Sequence, residues 1–177
     1  MKIFLFTLLF LFNNNAFAKQ FECKWTNHRI TFNGRGCYLN TRFIILHNKG
    51  KNVVVSNCKI VSGEWVSYIT GKIITNPKEI QIDHILPDAE LQARFIKTKH
   101  LRNVNYCKEI YNDFNNLNIL SSKENNDKSD WVKKSIRGDL QHKKALPMYL
   151  QEYENLITQK QKKFCEKHNL YRCEDFN

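Results

Sequence analysis

Ile80-Gln81-Ile82-Asp83-His84-Ile85-Leu86-Pro87 is the stretch on which the fold turns. Its first residues run apolar, polar, apolar, the two-residue period of a half-buried strand. They deliver Asp83-His84 at the strand's end. Adjacent side chains on a strand point to opposite faces. Where the backbone turns at a strand end, such a pair can flank one ligand from different sides. Pro87 marks a change of character: after it, 88–99 places Leu91, Phe95 and Ile96 at helical spacing.

Downstream, 105–112 reads as a second short helix and Leu117-Asn118-Ile119-Leu120 as a strand. Ser121-x-x-Glu124 has capping-box spacing, so a helix is expected from near Ser122, carrying Asn125 and Lys128. A last long helix is expected from near Pro147, a favoured first-turn residue, with Leu150, Tyr153, Leu156 and Ile157 as a core-facing stripe. Upstream, 21–75 is strand-like. Arg42-Phe43-Ile44-Ile45-Leu46 and Asn52-Val53-Val54-Val55 read as strands joined by a turn at Asn48-Lys49-Gly50-Lys51. Residues 65–69 and 72–75 flank Thr70-Gly71 as a second hairpin, and Asn76-Pro77 breaks the pattern. The expected class is α+β in one domain over 19–177: a β-rich part over 19–75, a central core over 76–135 and a helical part over 136–177.

Lys2 followed by the apolar run Ile3 to Phe12 and by Ala16-Phe17-Ala18 has the layout of a secretory signal peptide over 1–18. The apolar run is too short for a span, which needs roughly 20 residues. Secretion or a periplasmic location, with no stable membrane association after cleavage, is the expectation. The six cysteines all follow that segment and none forms a C-x-x-C pair. Disulfides are therefore expected, not a zinc knuckle or a thiol enzyme. Cys165 and Cys173 are placed to pair across His168-Asn169.

The net charge of +11 draws the chain toward polyanions. Basic residues gather at Arg94, Lys97, Lys99, His100 and Arg102, and again at Lys133, Lys134, Arg137, His142, Lys143 and Lys144. Either a solvated positive face or a track for a phosphate backbone would have this composition.

Asp83, His84 and Asn125 carry the chemistry. Hydrolysis of a phosphodiester needs a group to take a proton from water and a cation to neutralise phosphoryl oxygen. A neutral histidine suits the first task. Mg²⁺ suits the second, held by a carboxylate and an amide oxygen while it keeps several waters.

The motif set resembles the HNH (ββα-metal, His-Me finger) endonuclease family, in its small secreted bacterial branch. The matching parts are Asp83-His84-Ile85-Leu86-Pro87 after an apolar strand, then Asn116-Leu117, and then Asn125-Asn126-Asp127-Lys128. Gly63-Glu64-Trp65, Tyr68-x-x-Gly71 and Tyr111-Asn112-Asp113 resemble that branch too. Coverage runs over 58–170. The resemblance implies a ββα-metal core and an endonuclease acting on DNA, with RNA as a second candidate substrate; no recognition helix or aromatic-rich RNA motif stands in the sequence, so little sequence specificity is expected. His84 would be the general base, and Asp83 and Asn125 would bind one Mg²⁺ or Mn²⁺. Asn116 would hold the loop and Lys128 would contact phosphate; apart from the resemblance, Arg94 in the first basic group is a second candidate for phosphate contact. Asn125 stands where the family often has His, and the zinc-binding cysteine pairs of some members are absent. An alternative is a non-catalytic secreted basic protein that binds nucleic acid or another polyanion. A toxin restrained by an immunity partner would share the chemistry, and the sequence does not separate it from a scavenging or defensive nuclease.

Overall fold

The computed structural model describes residues 27–32, 35–98, 104–137 and 145–177. The expected signal segment over 1–18, Lys99, His100, Arg102, His142, Lys143 and Lys144 lie outside the described residues. The described part is mixed α and β, with small antiparallel sheets packed among helices. β1 (Asn27–Phe32) pairs with β2 (Arg35–Asn40). Helix α1 (Thr41–Lys49) follows, then β3 (Lys51–Ser56), β4 (Lys59–Val66) and β5 (Ile73–Ile74), which form a three-stranded sheet in that order. β6 (Ile80–His84) pairs with β7 (Leu117–Ser121). Between those two strands run α2 (Asp88–Lys97) and α3 (Val104–Tyr111). After β7 come α4 (Ser122–Lys128), α5 (Met148–Gln151) and α6 (Glu154–Lys167).

The expected strand at Arg42–Leu46 is instead the middle of α1. Local β-propensity loses there to capping and to a helical stripe. The Asn40 side chain accepts from the Phe43 N–H at 2.9 Å, a helix N-cap. Thr41, Ile45 and Leu46 then face inward together, which a two-residue alternation would forbid. The presumed hairpin turn is the helix exit: the Gly50 N–H bonds the Leu46 carbonyl at 3.1 Å. Glycine is required there by space, because a Cβ would lie 2.5 Å from both Trp65 Nε1 and Val53 Cγ2. Trp65, fully buried, donates to the same Leu46 carbonyl at 2.7 Å and locks α1 onto β4.

The last helix also departs from expectation. It starts after Pro147 but breaks at Glu152-Tyr153 before resuming as α6. The Tyr153 N–H bonds the Leu150 carbonyl at 3.0 Å, a tightened turn in place of a continuing α-helix. Leu150 and Ile157 are fully buried, packing with Ile69, Leu120 and Leu146, while Leu156 is partly exposed.

Three apolar clusters hold the molecule. One joins α1, β4, β6 and β7 through Ile45, Trp65, Ile80 and Ile119. A second joins α2, α3 and the C-terminal turn through Leu91, Phe95, Ile110, Phe164 and Phe176. The third lies under α5. Cys165 and Cys173 form a disulfide that closes the turn after α6, and no described cysteine is free.

Candidate active site

β6 and β7 are in register from Ile80↔Ser121 to His84↔Leu117, so the two strands end together. α4 begins at the next residue. Its capping box is complete: the Ser121 hydroxyl accepts from the Glu124 N–H and the Glu124 carboxylate accepts from the Ser121 N–H. The helix therefore turns sharply and lies back along β6. Gln81 and Asp83, on one face of the strand, meet Asn125 and Lys128, one turn apart on the helix. Asp83, His84, Asp88, Asn125, Asn126 and Asp130 line one cleft of about 320 Å³.

Asp83 is buried. Its Oδ1 accepts from Lys128 Nζ at 2.9 Å and its Oδ2 from the Tyr68 hydroxyl at 2.7 Å. Burial pushes the carboxyl above its ordinary range, against the pull of Lys128 and Tyr68. Tyr68 is driven well above the usual phenol range, by burial first and by the facing carboxylate second. Its loop is tied down by Glu124, which accepts from Ser67 Oγ at 3.0 Å and from the Thr70 hydroxyl. Gly71, at φ +70°, closes that loop in the left-handed region.

His84 faces different surroundings. Its Nε2 meets the Tyr111 carbonyl at 3.1 Å, and its ring packs against the Tyr111 ring at 4.5 Å. A carbonyl only accepts, so Nε2 carries the proton and the lone pair of the neutral ring sits on Nδ1. Burial lowers the pKa, only partly countered by the Tyr111 carbonyl and Asp88. The imidazole is thus biased to the neutral form that can accept a proton.

Asn116 is fully buried and clasps the turn after His84. Its Oδ1 accepts from the Leu86 N–H at 2.7 Å, its Nδ2 donates to the Leu86 carbonyl at 3.2 Å, and its own carbonyl accepts from the Ile85 N–H at 2.8 Å.

Two residues expected to meet phosphate do not reach solvent. Lys128 is enclosed by Asp83 and by the His84 carbonyl, which it meets at 3.1 Å. Arg94 is fully buried, donating to Glu90 at 2.8 Å and to the carbonyls of Tyr171, Arg172 and Lys134. It staples α2 to the C-terminal turn, and its guanidinium also lies 4.4 Å from the centre of the Phe176 ring. A burial-blind count of basic residues could not separate this arginine from the exposed Lys97. Asn126, one residue and about 100° round the helix from Asn125, also lines the cleft, from an exposed position.

Asp88, Asp130, Gln81 and Tyr68 were not singled out as site residues by the sequence. Asp88 had a signal, being the first helical residue after Asp83-His84-Ile85-Leu86-Pro87. Asp130 had none, because it follows a helix end whose irregular turn, with Ser129 at φ 47°, is invisible in the sequence.

For a divalent ion the donor chemistry fits in kind. Asp83 and Asn125 offer hard oxygens, the sort Mg²⁺ takes while keeping several waters. The Asn125 Nδ2 donates to Gln81, which orients its Oδ1 away from that partner. No cluster of three or more His, Cys, Asp or Glu suited to a metal forms among the described residues, so a larger protein cage is not on offer there. A wider hollow of about 530 Å³ lies beside α1, near Phe43, Lys59 and Lys78. Arg42 at its edge is committed to the carbonyls of Ile80 and Pro77 at 2.8 and 2.7 Å, and the described residues that line the hollow include no acid–base pair.

Compared with family models, with curated proteins and with solved structures, the chain matches none.

Proposed function

We propose that this protein is a secreted, metal-dependent endonuclease of the HNH (ββα-metal) type, hydrolysing phosphodiester bonds of DNA or RNA with little sequence preference. One observation carries the reading. A half-buried, neutral-biased histidine whose Nε2 meets a backbone carbonyl shares a cleft with a carboxylate and an amide on a strand–strand–helix unit.

His84 Nδ1 takes the proton of a water whose oxygen attacks phosphorus, and the Tyr111 carbonyl holds the ring and steadies the imidazolium that forms. Asp83 and Asn125 would hold one Mg²⁺ or Mn²⁺, which when bound supplies neutralisation of phosphoryl and leaving-group charge. Lys128 and Tyr68 keep the Asp83 side chain in place. Asn116 keeps the turn after His84 from opening.

A second reading is a non-catalytic polyanion-binding protein. The full engagement of the Asp83 carboxylate by Lys128 and Tyr68 favours it, because that arrangement is also a self-sufficient structural pair.

One experiment separates the two. Purified protein is incubated with plasmid, linear duplex, single strands and RNA, with and without chelator, beside His84→Ala. The nuclease reading expects chelator-sensitive cleavage, lost by about 10²–10⁴-fold in His84→Ala, with nucleic-acid binding retained. Binding without cleavage in any substrate would establish the second reading. Cleavage equal in His84→Ala would move the base elsewhere.

A further inference from the structure

We propose that Asp113 is a positioning residue for His84, and that the end of α6 completes it through Lys167 and His168. The inference rests on the nuclease reading for its catalytic meaning, while its geometry stands by itself.

Residues 111–116, which run from the last residue of α3, touch His84 and its turn at both ends. The Tyr111 carbonyl accepts from His84 Nε2 at 3.1 Å, and Asn116 clasps Leu86. Between those contacts, Asp113 fixes the loop's shape from inside. Its N–H bonds the Ile110 carbonyl at 3.2 Å, its carbonyl accepts from the Asn116 N–H at 2.8 Å, and its Oδ1 accepts from the Asn115 N–H at 2.8 Å. The other carboxylate oxygen looks outward. Oδ2 accepts from Lys167 Nζ at 2.6 Å and from His168 Nε2 at 2.8 Å, both at the C-terminal end of α6.

That end is itself a firm support. The Cys165–Cys173 disulfide closes it, and the His168 ring packs on Phe164 with centroids 4.7 Å apart. The Tyr106 hydroxyl from α3 stands 3.4 Å from His168 Nδ1. Hydrogen bonding from Lys167, Asn115 and His168 overcomes the effect of burial on Asp113 and holds its carboxyl near 2. The brace keeps its anion throughout any working pH. On the opposite side the loop rests on α1, where Lys49 Nζ donates to the Phe114 and Leu117 carbonyls at 3.3 and 2.7 Å. The loop that cradles His84 is therefore held from two helices distant in sequence. Asp113 is the charged link to the C-terminal one.

The effect would reach His84 through the Tyr111 carbonyl. A shift of that acceptor frees the ring to exchange its tautomer, and a displaced base slows proton transfer without weakening substrate binding.

The test uses the full chain. Asp113→Asn retains the Asn115 cap but loses the charge. Lys167→Met/His168→Gln removes the partners and leaves the loop's own residues intact. Asp113→Glu restores charge. The first readout is the ¹⁵N spectrum of the histidine rings at a pH where they are neutral, with His84 assigned by comparison with His84→Ala. Wild type should show His84 as the Nε2–H tautomer. Asp113→Asn and the double variant should show a mixture, and Asp113→Glu should recover part of the wild-type signature. This readout needs no catalysis, so it stands even if the nuclease reading fails. The second readout is the split of kcat from KM, with kcat falling about tenfold or more and KM little changed. An unaltered His84 tautomer in a folded Asp113→Asn protein overturns the proposal. If Asp113→Asn does not fold, the same result in the double variant overturns it.

Discussion

Asp83 and His84 are neighbours on one strand and are held in opposite ways. Asp83 faces α4 and is fixed by a charge, Lys128, and a phenol, Tyr68. His84 faces the loop after α3 and is fixed by a backbone carbonyl and a ring. Burial acts on both, and in each case it disfavours the charged form. It raises the carboxyl of Asp83 and lowers the pKa of His84. The two-residue period of a strand has thus put one group in a charged pair and the next among neutral acceptors. The acid side of the site therefore rests on side chains that substitution can delete, whereas the base side rests on a ring and on a main-chain carbonyl that substitution can shift but not remove.

The largest break in that contrast is Lys128→Met. It leaves a buried carboxylate with only Tyr68 beside it. Removing one member of a buried pair costs about 3–5 kcal/mol, so a loss of that order is expected in denaturant unfolding. The loss should shrink as pH falls, because Asp83 can then protonate and no longer needs the ammonium. Asp83→Asn/Lys128→Met should recover much of the stability, since neither charge remains. A double variant as unstable as Lys128→Met would mean that the pair contributes by packing and not by charge.

Tyr68→Phe probes the same carboxylate more gently. It deletes one hydrogen bond to Asp83 while keeping the ring, and the expected destabilisation is about 1 kcal/mol. Thermal unfolding of the variant checks it. No change would show that the Tyr68 loop is held by Ser67, Thr70 and Glu124 alone, whose hydrogen bonds lie apart from Asp83.

The contrast also shows what the sequence could reveal. The strand–excursion–strand–helix order was legible because each element carries a local signal. Alternation in Ile80-Gln81-Ile82 gave β6, and Ser121-x-x-Glu124 gave the start of α4. The meeting of Asp83, His84 and Asn125 in one cleft followed from that order. What stayed hidden depended on burial across distant segments. Arg94 and Lys128 look like surface cations in the sequence, and only tertiary packing sends them inward. Arg42–Leu46 misled because β-branched residues can line a short helix once Asn40 caps it and Trp65 covers it. The fit of Asp113 to the end of α6 joins positions far apart in the chain, and no spacing rule reaches it.

The smallest expected effect concerns His84 and pH, and it sharpens the comparison most because the two neighbours have opposite signs. The folded-state pKa of His84 is lowered, so the stability it contributes is present above its unfolded value of about 6.5 and is lost as pH falls through the folded value. The folded-state pKa of Asp83 is raised, so its contribution is present below about 3.8 and is lost as pH rises through its folded value. Acidification from pH 7.5 to 5.5 therefore works against the protein through His84 and, to the extent that Asp83 titrates there, in its favour through Asp83. His84→Gln removes the first effect and keeps the second. Thermal unfolding of both proteins at the two pH values, with chelator present throughout, isolates His84, because every other titrating group is common to them. Wild type should lose more stability on acidification than His84→Gln does. Equal losses would mean that the folded and unfolded states bind a proton at His84 equally well. Its neutral bias, on which its service as a base depends, would then be absent.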